Sequence, residues 1–197
     1  MRDPALAVAW IGRGGFQRGD PTLFEALLPR LQVDTVFDID LEELYRQGYR
    51  GIVTDLDNTL VGAKAPNATP ELIAWFAKVK ELGFQLVIVS NNNMNRVSVF
   101  ATPLDIRFVH AARKPSHAPF RKAMQLMGLN EGQTIVVGDQ LLTDVLGGNR
   151  LGLYTVLVLP IALGDEGWRT RFNRRVERIA IGRLRKMGKW LEEEKKK

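Results

Sequence analysis

Gly51-Ile52-Val53-Thr54-Asp55-Leu56-Asp57-Asn58-Thr59-Leu60 reads as a short apolar strand that runs into two acids. Its first four residues are largely β-branched and flanked by turn formers, which predicts a strand of a parallel sheet covered on both faces. Asp55 and Asp57 then stand at the carboxyl end of that strand, the end at which open α/β sheets bind ligands. Two carboxylates this close repel each other unless a cation or a shared proton relieves them. An acidic turn with Asn58 as a helix cap is the bland alternative.

Outward from this stretch, apolar strands alternate with single helices. Upstream, the pattern predicts a short helix near Leu23–Leu28 opened by Pro21 and a strand over Val33–Phe37. A helix follows from Asp40 to Gln47, with Glu43 at the capping-box position and Gly48 as its stop. Downstream, Thr69-Pro70-Glu71 opens a helix whose Leu72, Trp75, Phe76, Val79 and Leu82 recur at helical spacing, ended by Gly83. The strand Phe84–Val89 runs into Ser90-Asn91-Asn92-Asn93. A helix over Asn95–Phe100 and a strand over Ile106–His110 lead to Arg113-Lys114-Pro115. After a helix over Pro119–Met127, the strand Thr134–Val137 runs into Gly138-Asp139-Gln140-Leu141-Leu142-Thr143-Asp144, and Tyr154–Leu159 is the last strand. Such alternation implies right-handed crossovers and a three-layer α/β/α Rossmann-like sandwich around a mainly parallel sheet. The organisation reads as an N-terminal arm over 1–27, a core domain over 28–164 and a basic tail over 165–197.

A chain of 197 residues with 45% hydrophobic and 25% charged residues is ordinary for one globular domain. The absence of cysteine excludes disulfides, thiolate metal sites and cysteine nucleophiles and suits a reducing compartment. With only His110 and His117 available, hard oxygen ligands are the one rich metal-binding resource. No run reaches the roughly 18 to 20 apolar residues of a membrane span. Ala5–Gly12 imitates a signal peptide but is preceded by Asp3 and Pro4, so the expectation is an unprocessed, cytoplasmic protein.

Four predicted strand ends thus present Asp55 with Asp57, Ser90, Lys114, and Asp139 with Asp144, in that chain order. This set resembles the four motifs of the haloacid dehalogenase-like (HAD) phosphohydrolases. The stretches DLDNTLV, VSNNN, RKP and GDQLLTDVLGGNRLG look closest to subfamily IIIA and its YqeG branch, which is similar to mitochondrial phosphatidylglycerophosphatase. The resemblance covers about Leu28 to Leu163. It implies that Asp55 attacks phosphorus to form an aspartyl-phosphate and that Asp57 acts as acid and then base. Mg²⁺ is then held by Asp55, Asp139 and the backbone carbonyl of Asp57, with Asp144 as a second choice that orients a metal water or supports Lys114. Ser90 and the backbone N–H of Asn91 receive phosphoryl oxygens, and Lys114 balances charge. The chemistry agrees with these residue types: a phosphate ester repels nucleophiles, so its hydrolysis needs a carboxylate nucleophile, a metal and cationic donors. Asp57 must begin protonated, which requires a pKa above the usual aspartate range.

HAD enzymes carry their cap domains between these motifs, yet 32 residues separate Asp57 from Ser90 and 23 separate Ser90 from Lys114. One helix and one strand consume each gap, so no lid is expected, and an open site suits a phosphate protruding from something large, such as a lipid. The net charge of +6 lies entirely in the tail, where Trp168, Phe172, Val176, Ile179, Leu184, Met187 and Leu191 approximate one stripe amid many basic residues. An anionic membrane surface, and so a peripheral position at the inner membrane face, is one partner. Nucleic acid is a second, and packing on the domain itself or on a second subunit is a third. A HAD-fold adaptor that binds RNA through its tail is the functional alternative to the phosphatase.

Overall fold

The computed structural model describes residues 8–9, 25–162, 168–186, 188 and 190. Of the arm up to Asp20 only Val8 and Ala9 are described, as a strand of the sheet, and the start of the helix expected from Pro21 and the terminal Glu-Glu-Glu-Lys-Lys-Lys block lie outside the described residues.

Seven strands form one sheet: β1 (Val8–Ala9), β2 (Leu31–Val33), β3 (Gly51–Thr54), β4 (Gln85–Val89), β5 (Arg107–Val109), β6 (Thr134–Gly138) and β7 (Tyr154–Val158). Their order is β1-β2-β7-β6-β3-β4-β5, and every pairing is parallel except that of β1 with β2. The chain moves from β3 outward to β5, then crosses back to β6 on the other flank of β3. The β3/β6 seam is therefore the switch point, where a crevice opens at the strands' carboxyl ends.

Both sheet faces are covered, and strand alternation assigns each residue to its side. Ile52, Ile88, Ile135 and Val137 pack with α2 (Pro70–Glu81) and α3 (Met94–Ala101), through Leu72, Trp75, Val79, Val97 and Phe100. Val53, Val87, Val89 and Val136 pack with Phe120, Ala123, Met124 and Met127 of α4 (His117–Met127). The local signals act as expected: Asp40 accepts from the Glu43 N–H at the start of α1 (Leu41–Arg46), and Thr69 accepts from the Leu72 N–H at the start of α2.

Three expectations change. The strand expected over Val33–Phe37 lies at Leu31–Val33, because Thr35 and Asp38 bond each other and turn Val36–Asp38 into a 3₁₀ helix. Asn58 is not a helix cap; it takes a left-handed backbone (φ 66°) in the turn after β3. The tail stripe is not one face. In the helix α6 (Trp168–Lys186), Ile179 is 63% exposed whereas Leu184 is fully buried, since five residues turn a helix by about 140°. The inward face is Glu177, Ala180 and Leu184, at spacings of three and four, and it packs near Leu141, Val145 and Leu157.

Candidate active site

Asp55 leaves β3 pointing into the seam. Its backbone N–H still pairs with the Val137 carbonyl of β6 (2.9 Å), and its Oδ1 accepts from the Leu56 N–H (2.8 Å), which fixes the carboxylate against its own backbone. The chain then folds into a tight turn, with Asn58 N–H to the Val61 carbonyl at 2.7 Å, so Asp57 returns over the same crevice. Its oxygens accept from Asn92 Nδ2 and Arg96 Nε, both at 3.0 Å. Thr59 Oγ1, in that turn, donates to Asp139 Oδ1 across the seam (2.8 Å).

Lys114 enters from the other side. Two non-glycine residues just before it, Ala111 (φ 46°) and Arg113 (φ 57°), take left-handed backbones that L residues adopt only under constraint. The constraint is visible: Ala111 N–H bonds the Asn92 carbonyl (2.7 Å), Ala112 N–H bonds the Ser90 carbonyl (3.0 Å), and Asn91 Oδ1 accepts from Lys114 N–H (2.7 Å). The Lys114 side chain, 2% exposed, bridges Asp55 Oδ1 (2.9 Å) and Asp144 Oδ1 (2.7 Å). Asp144 is delivered by a π-helical turn over Leu141–Val145, an irregularity frequent at functional sites. Close packing requires glycine at 138, because a Cβ there would lie 2.3 Å from Asp144 Cγ.

Asp55, Asp139 and Asp144 each bring a carboxylate oxygen within 4.8 Å of the others, and all three are buried. Burial pushes Asp139 up to about 6 and Asp144 up to about 7, with neighbouring carboxylates adding to the rise and their cationic partners opposing it. Burial also works against the Lys114 ammonium, but Asp144 and Asp55 together outweigh it and hold its pKa above the usual lysine range. Burial raises Asp57 as well, against the pull of Asn92 and Arg96, in the direction a general acid requires.

Four carboxylates thus face three cations: Lys114 between Asp55 and Asp144, Arg96 on Asp57, and Arg174 on Asp139. With all four carboxylates ionised one negative charge is left over; with Asp57 protonated the set is neutral. The buried carboxylate oxygens of Asp55, Asp139 and Asp144, gathered within 4.8 Å, are hard ligands of the kind that suits a divalent cation such as Mg²⁺.

The structure therefore brings Asp55, Asp57, Lys114, Asp139 and Asp144 to one crevice. Ser90, at the end of β4, is 2% exposed and its Oγ accepts from Asn92 N–H (3.1 Å). Asn91 braces Lys114 through its side chain. Two site residues were not expected. Arg96 Nη2 lies 2.8 Å from Asp57 Oδ1, and only its place on the first turn of a helix after the Ser90 strand hinted at it. Arg174 of α6 donates to the Asp139 carbonyl (2.9 Å) and to the Asp139 carboxylate, while Glu177 accepts from the Leu142 N–H (3.0 Å). Nothing in the tail's sequence distinguishes Arg174 from its basic neighbours.

Comparison with known proteins follows the same lines. The family model described as HAD-hydrolase-like matches residues 111–160. Over 161 residues the chain is 51% identical to a probable phosphatase, YqeG, of Bacillus subtilis, covering 82% of this chain and 93% of that protein. It is 28% identical to the chloroplastic/mitochondrial phosphatidylglycerophosphate phosphatase 1 of Arabidopsis thaliana, covering 82% of this chain but only 49% of that protein. Among solved structures, a HAD phosphatase from Thermococcus onnurineus aligns at 24% identity with a TM-score of 0.42, over 51% of this chain and 50% of that one.

Proposed function

Because the chain belongs to the YqeG branch of the HAD-like hydrolases, we propose that it is a phosphatase that hydrolyses a phosphate monoester through an aspartyl-phosphate on Asp55. The observation that carries this reading is the buried Lys114 ammonium bridging Asp55 and Asp144, with Asp139 closing the same cluster.

Two donors, Leu56 N–H and Lys114 Nζ, engage Asp55 Oδ1. Oδ2 is then the oxygen that attacks phosphorus. As the new P–O bond forms, the bond to the ester oxygen breaks, and protonated Asp57 gives that oxygen its proton. Asp57, now a carboxylate, takes a proton from water as the water attacks phosphorus, and inorganic phosphate leaves with Asp55 regenerated. Arg96 and Asn92 hold Asp57 in place for both transfers. The Ser90 hydroxyl and the Asn91 backbone N–H receive phosphoryl oxygens, and Lys114 offsets the charge that gathers there.

Asp55 and Asp139, with Asp144 as supporting member, would hold Mg²⁺ together with the backbone carbonyl of Asp57. The ion would screen the negative charge of the phosphoryl group.

The spacing that leaves no room for a lid supports a large substrate, and the likeness to plant phosphatidylglycerophosphate phosphatase supports a lipid one. The outward face of α6 supports a peripheral position on the cytoplasmic side of an anionic membrane. It presents Arg175, Arg178, Arg183 and Lys186 with the exposed Ile179. No helix among the described residues is long and apolar enough to cross a membrane.

Incubation of the purified protein with Mg²⁺ and p-nitrophenyl phosphate tests the reading. Release of phosphate by the protein and none by Asp55→Asn is expected; equal release by both would refute it.

A further inference from the structure

Arg174 ties α6 to an acid of the active-site cluster. Its Nη1 donates to the Asp139 backbone carbonyl (2.9 Å) and its Nη2 to Asp139 Oδ2, while Thr59 Oγ1 donates to Oδ1 (2.8 Å). Both oxygens of this carboxylate are therefore engaged, one of them by a full positive charge. Asp139 is also one of the three acids whose oxygens gather within 4.8 Å. A divalent cation ligated there at about 2.1 Å from an oxygen would lie within roughly 5 Å of the guanidinium, and the two would repel.

The charges of the cluster add to this conflict. With Asp57 protonated, the carboxylates of Asp55, Asp139 and Asp144 are balanced by Lys114, Arg96 and Arg174. A dication added to this neutral, buried set leaves positive charge uncompensated, and withdrawal of one side-chain cation relieves it. Lys114 is 2% exposed and fixed between two carboxylates, and Arg96 sits on Asp57. Arg174 is 14% exposed and has another acid at hand, since Glu177 Oε2 lies 3.8 Å from its Nη1 on the same helix. It also has room to move. A cleft of about 240 Å³ separates α6 from β2 and the ends of β6 and β7, and Arg174, Glu177, Asp139 and Gln32 stand in its wall beside apolar residues such as Leu159 and Ile181.

The hold of α6 on the rim depends on this contact. Glu177 Oε1 accepts from the Leu142 N–H (3.0 Å) and Asn173 Nδ2 donates to Gln140 Oε1 (3.4 Å), while Ala180 and Leu184 supply the apolar contact. Resting on the cation site of the phosphatase reading, we propose that Arg174 is an internal competitor of the divalent cation for Asp139, so that docking of α6 and loading of the cation oppose each other. By linkage, whatever draws α6 off the rim raises the cation affinity by the same factor by which the cation loosens α6.

Two measurements on the intact protein test this without turnover. Both are made in phosphate-free buffer, because a phosphate dianion would cancel the excess charge. Amide exchange over 173–186 should quicken by at least about threefold when Mg²⁺ saturates the unaltered protein. Calorimetric titration should find Mg²⁺ bound about fivefold or more tightly by Arg174→Gln, which removes the charge. Arg174→Lys, which keeps the charge, should stay closer to the unaltered affinity than to that of Arg174→Gln. Exchange unchanged or slowed by Mg²⁺, Arg174→Gln binding no more tightly than the unaltered protein, or Arg174→Lys binding as tightly as Arg174→Gln would each overturn the proposal. Mg²⁺ binding without these differences would leave the phosphatase reading standing; no binding by any of the three proteins would remove the cation site and the proposal with it.

Discussion

Replacing Lys114 by Met keeps the volume of the side chain and removes its charge, which isolates what the ammonium does. Its Nζ lies 2.9 Å from Asp55 and 2.7 Å from Asp144, at 2% exposure. With an effective dielectric of about 20, each contact carries a gross attraction of about 6 kcal/mol. Most of that offsets the desolvation of the three ions, and breaking such a buried set by removing one partner costs about 3 to 5 kcal/mol. The cost depends on pH. Asp144 has a folded pKa of about 7 against an ordinary 3.8, so between those values the native state holds the extra proton and stability falls as pH rises. Without the ammonium the folded pKa rises further. Near pH 5 Asp144 is neutral and Lys114→Met loses only its contact to Asp55; near pH 8 it must either bury a second unrelieved carboxylate or take up a proton to keep Asp144 neutral, and both cost more as pH rises. Urea denaturation of both proteins at the two pH values should therefore give the full deficit at the higher pH and a clearly smaller one at the lower. A deficit under about 1 kcal/mol near pH 8, or one equal at both pH values, would refute the reasoning.

Other outcomes follow from the same contacts. Arg96→Ala removes a guanidinium that favours ionised Asp57, so its pKa rises and the basic limb of the kcat/KM profile moves up by about one pH unit; a downward shift would contradict the acid role. Gly138→Ala sets a Cβ against Asp144 and displaces it from Lys114, and a misplacement of that order should cost about a hundredfold in kcat without unfolding the protein, as checked by circular dichroism. Mg²⁺ at about a hundred times its dissociation constant should raise thermal stability by about 2.7 kcal/mol, and Asp139→Asn should lose most of that gain in calorimetry. Arg174→Ala should loosen α6, read as faster amide exchange over 173–186 than in the unaltered protein.

The sheet and the acids at its edge were legible because their signals are local. A strand is announced by its own β-branched run, and Asp55, Ser90 and Asp139 each lie within a residue or so of the strand that carries them. Caps such as Asp40 and Thr69 are legible for the same reason, since each bonds an N–H three residues on. Arg96 and Arg174 were not legible, because their partners lie 39 and 35 residues away and no spacing links them. The physical clue was indirect: four clustered carboxylates need more cations than Lys114 alone. The tail stripe failed because basic and apolar residues alternate along it closely enough to support more than one face. Burial against Leu141 and Leu157 selected the face that carries Arg174 and Glu177.

The central claim is that Asp55 becomes phosphorylated. p-Nitrophenolate is a good leaving group and departs without a proton, so Asp57→Asn should still pass the first step while the second, which needs the base, is slowed. Acid quench of that variant during turnover, followed by peptide mass spectrometry, should find a hydroxylamine-sensitive phosphoryl group on the peptide containing Asp55 and none in Asp55→Asn/Asp57→Asn. Nitrophenol released in stoichiometric amount by Asp57→Asn with no phosphoryl group on Asp55 would contradict the account.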